Sequence, residues 1–180
     1  MPVNNIKGYH TNYANKCRKF IETDEIIISE DENFLGRGMY FWDVESNAAY
    51  WKTVKERQKP DESVVTVSAD IITETFLDTM DENVRVNIGL LWKNYNEKKK
   101  SSHYRKNKIV TLGQVLDTLP IIKDIPVRRG IYYYENNRIS DFASYGITIT
   151  GIKSCKLSND VKVIYAVIDK KCAINREYKE

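Results

Sequence analysis

The chain has 180 residues, 42% of them apolar, which suits one compact domain that buries its own core. A formal net charge of +3 is too mild for a dedicated nucleic-acid binder, so any basic effect has to be local. The three cysteines, Cys17, Cys155 and Cys172, lie far apart with no Cys-x-x-Cys pair, and no apolar run approaches the roughly twenty residues of a membrane helix or the pattern of a signal peptide, so the expectation is a cytoplasmic chain with reduced thiols and no metal.

The opening Ile6-Lys7-Gly8-Tyr9-His10-Thr11 reads as a short strand. Asn12 is the expected cap of an amphipathic helix carrying Ala14, Cys17, Phe20 and Ile21. Ile26-Ile27-Ile28 reads as a second short strand, followed by a polar acidic loop over residues 29–33. In Phe34-Leu35-Gly36-Arg37-Gly38-Met39-Tyr40-Phe41-Trp42, two glycines precede an aromatic strand. Asp43 or Ser46 can cap the helix that carries Ala48, Ala49 and Trp51.

Residues 63–72 have the β-branched density of a largely buried strand. A helix is expected from Asp81 to about Lys100, with Val84, Ile88, Leu91, Trp92 and Tyr95 on one face. Residues 98–108 form a polar, basic loop or insertion that includes Lys98, Lys99, Lys100, Arg105, Lys106 and Lys108, together with His103, whose polar neighbours place it on the surface. Thr111 can start a helix that Pro120 stops. Strands are expected over residues 130–134, 147–152 and 161–168. Strand and helix do not alternate regularly, so the expected class is α+β, in a single domain spanning residues 1–180, rather than a doubly wound parallel sheet.

Three features carry candidate chemistry. Tyr9-His10-Thr11 brings polar groups to the junction of a strand and a helix, where they can bond a ligand's hydroxyls, although a histidine beside a cap can equally be structural. The segment Gly36-Arg37-Gly38-Met39-Tyr40-Phe41-Trp42 combines close backbone approach with a flat aromatic face, a pattern that sheet cores also show. The third is a carboxylate near the last of these strands: Asp160, an ordinary turn residue by position, with Glu135 and Asp141 as rivals.

In order and spacing, YHTNYANKCRKFIETDEIIIS followed by FLGRGMYFWDVESNAAYW resembles the ADP-ribosyltransferase family, in its diphtheria-toxin and poly(ADP-ribose)-polymerase branch with a His, Tyr and acidic signature. The likeness covers about the first fifty residues; RGIYYYENNRIS and NDVKVIYAVIDKKCAI resemble later strands of small bacterial and phage members more weakly. It implies a split antiparallel β-sandwich with flanking helices and NAD in the cleft. On that resemblance His10 bonds a ribose hydroxyl with help from Thr11, Tyr40 stacks on nicotinamide, and backbone at Gly8 or Thr11 holds the carboxamide, with Gly38 beside the dinucleotide. The sequence departs at the acidic element, where one register puts Ile164 in the family's Glu position; Asp160 is the residue chosen for the role.

A carboxylate is needed because loss of nicotinamide leaves an oxocarbenium-like ribose whose positive charge develops only in the transition state. The implied reaction is transfer of ADP-ribose to a macromolecular acceptor, protein or nucleic acid, with NAD hydrolysis and a catalytically silent binding module as alternatives. The basic stretch at residues 98–108 suits acceptor recognition, or is simply a solvated loop. His10 and Tyr40 are expected to line one concave pocket, and Asp160, Lys162 and Ile164 to share the cleft-side face of a strand whose other face, Val161, Val163 and Tyr165, enters the core.

Overall fold

The computed structural model describes residues 5–29, 34–98, 110–131, 147–148 and 162–179. In chain order these form β1 (Asn5–Tyr13), α1 (Ala14–Glu22), β2 (Met39–Trp42), α2 (Glu45–Gln58), β3 (Val64–Ile72), β4 (Phe76–Asp78), α3 (Glu82–Lys98), β5 (Val110–Thr111), α4 (Leu112–Thr118), β6 (Val127–Ile131), β7 (Ile147–Thr148), β8 (Val163–Val167) and β9 (Ala173–Lys179). Asp160, Glu135, Asp141, His103 and residues 99–108 lie outside the described residues; Lys98 is the exposed last residue of α3.

The strands build a seven-stranded sheet of order β4-β6-β8-β2-β1-β3-β9, and β5 and β7 form a separate parallel pair. All neighbours in the large sheet are antiparallel except β4 with β6. Helix and sheet are therefore mixed without a doubly wound alternation, as the α+β expectation has it. Among the described residues no helix is long and apolar enough to cross a membrane.

Apolar side chains cover both faces of the sheet, which explains the dense hydrophobicity of its central strands. Along β2 and β8 the alternation is clean: Met39, Phe41, Val163, Tyr165 and Val167 join the core under α1, while Trp42, Ile164 and Ala166 join the core against α2 and α4. The expectation that only the Val163 and Tyr165 face of β8 is core is corrected here. Ile164 is 3% exposed, because the opposite face is roofed by helices as well. The expected face of α3 packs as read, with Ile88 and Trp92 buried and Val84, Leu91 and Tyr95 against them.

Three local expectations change. β1 runs through Asn12 to Tyr13, so Tyr13 is the N-cap position of α1, without a side-chain cap, and Asn12 is free of capping duty. α2 likewise starts after Val44 with no side-chain cap from Asp43 or Ser46. Ile26-Ile27-Ile28 is not a strand; of this segment, Ser29 bridges to Gly38. Thr111 does cap α4, in a reciprocal box with Gln114 at 3.1 Å in each direction.

The turn before β2 is fastened to the far side of the domain by Arg128, which is fully buried on β6. Its Nη1 donates to Leu35 O and to Asp117 Oδ1, each at 2.6 Å, and its Nη2 donates to Leu116 O at 3.2 Å and Lys123 O at 2.9 Å. Burial disfavours the guanidinium charge, and the Asp117 carboxylate offsets that cost. Arg37 N donates to the other Asp117 oxygen at 2.8 Å. Gly36 crosses this clamp at φ 78°, where a Cβ would stand 2.5 Å from Arg128 Nη1 and 2.6 Å from both Asp117 oxygens. Gly36→Ala combines left-handed strain with disruption of a buried ion pair, so it should cost roughly 2–4 kcal/mol in a denaturant titration; a loss below about 0.5 kcal/mol, the range of ordinary surface changes, would mean that the clamp does not hold the turn.

Candidate functional site

β1 and β2 are in register at one pair, Tyr9 opposite Trp42. Beyond it the end of β1 stays with β3, through Tyr13 opposite Val64, while β2 stays with β8, through Met39 opposite Val167. The two strands thus part company, and a cavity of about 450 Å³ lies in the opening. Its walls include His10, Thr11, Asn12 and Tyr13 from β1, Tyr40 and Trp42 from β2, Ile164 from β8, Lys16 from α1, Trp51 and Lys55 from α2, and Phe34 with Ile27, Ile28 and Ser29 from the preceding loop. His10 and Tyr40, thirty positions apart, therefore share one concave site.

His10 closes the gap where the β1–β2 ladder ends. Its Nδ1 lies 2.7 Å from Tyr40 O, and because a carbonyl only accepts, Nδ1 carries the proton. Nε2 is then an acceptor, and it takes a hydrogen bond from Asn12 Nδ2 at 3.3 Å. Asn12 Oδ1 in turn accepts from Tyr13 N at 2.9 Å, which fixes the amide's orientation. Burial pushes the His10 pKa down to about 4, against the opposing bond to Tyr40, and the charges of Lys55 and Lys16 act in the same direction as burial. A neutral imidazole with its acceptor nitrogen held by a side-chain amide is suited to receiving a hydroxyl from a ligand.

Tyr40 presents its half-buried ring to the cavity, but its hydroxyl is committed elsewhere. It donates to Gly36 O and accepts from Leu35 N at 3.1 Å, the same turn that Arg128 grips. Phe34, next in the chain, stands on the cavity wall. Trp42, two positions beyond Tyr40 along β2, stacks with Trp51 of α2 at ring centres 6.3 Å apart. The site thus has flat walls on rigid supports, which suits planar ligand rings.

The remaining expected residues divide. Thr11 borders the cavity, yet its hydroxyl donates to Ala48 O at 2.9 Å and lies 2.9 Å from Thr66 Oγ1, tying β1 to α2 and β3. Gly8 is not in the wall: a Cβ there would meet Phe41 Cβ at 2.9 Å and Ile71 at 3.0 Å, so the glycine permits sheet-to-core packing. Gly38 is outside the wall too, with φ 153° beside Val167 O and Ala166. Asp160 falls outside the described residues. No carboxylate is among the described wall residues, and Ile164 occupies the wall opposite Trp42 in register.

Of the residues that join the site unannounced, Lys16, Lys55, Phe34 and Trp51 carry no spacing signal in the sequence. Asn12 alone offered one, as a polar residue next to His10, and its resemblance to a helix cap hid it. Among the described residues no three His, Cys, Asp or Glu side chains gather as a metal site. No protein-family model, curated protein or solved structure matches the chain.

The state of His10 gives a pH test. Its folded pKa of about 4 lies below the ordinary value of 6.5, so between those pH values the unfolded chain holds a proton that the folded chain does not. Stability should therefore fall as pH drops from 6.5 to 4, by roughly 3 kcal/mol from this group, and level off below. Melting curves of wild type and His10→Gln across that window should converge at acid pH; parallel profiles would mean that His10 is not held neutral.

Proposed function

We propose that the cavity binds NAD⁺ and that the chain is an ADP-ribosyltransferase-like domain, moving ADP-ribose from NAD⁺ to a protein or nucleic-acid acceptor in the cytoplasm. The observation that carries this reading is the convergence of His10 and Tyr40 on one aromatic-walled cavity at the opening between β1 and β2. The cavity's size and flat walls fit a ligand made of planar rings. His10 Nε2 offers an acceptor to a ribose hydroxyl, which would displace the Asn12 amide.

In the proposed reaction an acceptor nucleophile attacks C1′ of the nicotinamide ribose. The C1′–N glycosidic bond breaks, its electron pair leaves with nicotinamide as a neutral base, and the acceptor's proton passes to solvent or a base. Tyr40 stacks against the leaving ring, and Asp160, three positions before Val163 in the sequence, supplies negative charge to the ribose as positive charge develops. The split antiparallel sheet of that family is part of the same reading.

One observation favours a second reading, a catalytically silent NAD-binding module. The wall residue from β8 is Ile164, which cannot stabilise an oxocarbenium ion.

Calorimetry with NAD⁺ and a nicotinamide-release assay separate these outcomes. Asp160→Ala should lower release by about 10²–10³-fold with little change in NAD⁺ affinity, since the interaction belongs to the transition state. Glu135→Ala and Asp141→Ala should be mild. Binding without release in wild type selects the silent module, and release without transfer selects the NAD glycohydrolase. Absence of NAD⁺ binding would sink the proposal.

A further inference from the structure

Two ammonium groups border the cavity from different helices: Lys16 on α1, exposed, and Lys55 on α2, half-buried. Neither forms an ion pair among the described residues, whereas Lys7 reaches Asp70 and Glu177, Arg128 reaches Asp117, and Arg176 reaches Asp24. Lys55 instead rests over the Tyr13 ring with its Nζ 5.2 Å from the centroid. Its charged form is disfavoured first by burial and then by the charge of Lys16. Two like charges border one cavity with no carboxylate among the described wall residues, an arrangement that favours an incoming anion.

The same cavity has stacked aromatic walls and, at Asn12, an amide N–H turned inward toward His10. A ligand matching both halves carries planar rings and a compact, multiply charged anion. We propose that Lys16 and Lys55 form an anion subsite that grips the diphosphate of the nucleotide bound in this cavity. The inference rests on reading the cavity as a dinucleotide site and assigns its polar anchor to residues that the sequence signature does not contain. It also orients the ligand: the diphosphate lies toward α1 and α2, leaving the Tyr40 and Phe34 side to a ring.

The test is titration calorimetry of the full chain with inorganic pyrophosphate, ADP, adenosine and NAD⁺, on wild type, Lys16→Gln/Lys55→Gln and Lys16→Arg/Lys55→Arg, with melting curves to show that each variant is folded. Wild type should bind pyrophosphate and ADP, more weakly at high salt. The glutamine pair should lose about tenfold or more on both, as expected for charge-assisted contacts, while adenosine is unchanged and the arginine pair retains binding. Equal pyrophosphate affinity in wild type and the glutamine pair overturns the subsite, as does a wild type that binds neither pyrophosphate nor ADP. An equal loss of adenosine and ADP also overturns it, because the damage is then general. The two readings fail separately. Lysine-dependent pyrophosphate binding without adenosine or NAD⁺ binding removes the dinucleotide site and keeps the anion subsite; NAD⁺ binding untouched by the glutamine pair does the reverse.

Discussion

Adjacent antiparallel strands normally continue pairing until one of them ends, and here β1 and β2 stop after Tyr9 and Trp42 although both chains run on. Each strand keeps its other partner: β1 follows β3 over nine residue pairs, and β2 follows β8 over four. A twisted sheet whose two halves follow different partners must open between them. At the opening His10 donates to Tyr40 O, a side chain bridging the two strands where their ladder stops. The cavity, the tautomer of His10 and the direction in which its acceptor nitrogen points all descend from that one break in pairing.

An opening of this kind is useful only if its walls do not collapse into it. Two features keep them apart. The turn over Leu35 and Gly36 is held from one side by the Tyr40 hydroxyl and from the other by Arg128, itself locked to Asp117 and to carbonyls of the α4 region. On the opposite side, Thr11 ties β1 to α2 through Ala48, and Trp51 of the same helix stacks on Trp42. A fully buried guanidinium is a costly support, and its hydrogen bonds to three main-chain carbonyls explain why it is tolerated.

The electrostatics of the opening are one-sided. A neutral histidine, a side-chain amide and two lysines face it, and among the described residues no acid does. Such a field suits a phosphorylated ligand and works against developing positive charge, so the proposed transfer chemistry depends on a carboxylate contributed from Asp160 or its rivals. In the proposed reading, binding and catalysis are therefore assigned to different parts of the chain.

The sequence by itself determined the elements whose signal is local. The amphipathic face of α3 follows from Val84, Ile88, Leu91, Trp92 and Tyr95, and the start of α4 from Thr111, because periodicity and capping act within a few residues. The meeting of His10 and Tyr40 in one site is expected only through the family resemblance of their two segments. Only the tertiary structure decided what depends on neighbours. Ile26-Ile27-Ile28 has the composition of a strand but joins no ladder, its loop meeting the sheet only at Ser29, and Asn12 has the composition of a cap but serves His10. β9, with Arg176, Glu177 and Lys179 in its run, hides as an edge strand, since charged residues blunt an exposed edge and mask the apolar alternation. Lys16, Lys55 and Arg128 carry no mark in the sequence at all: a cation on a helix or strand is ordinarily solvated, and which ones border the cavity or enter the core is set by the packing of α1, α2 and β6 around the break between β1 and β2.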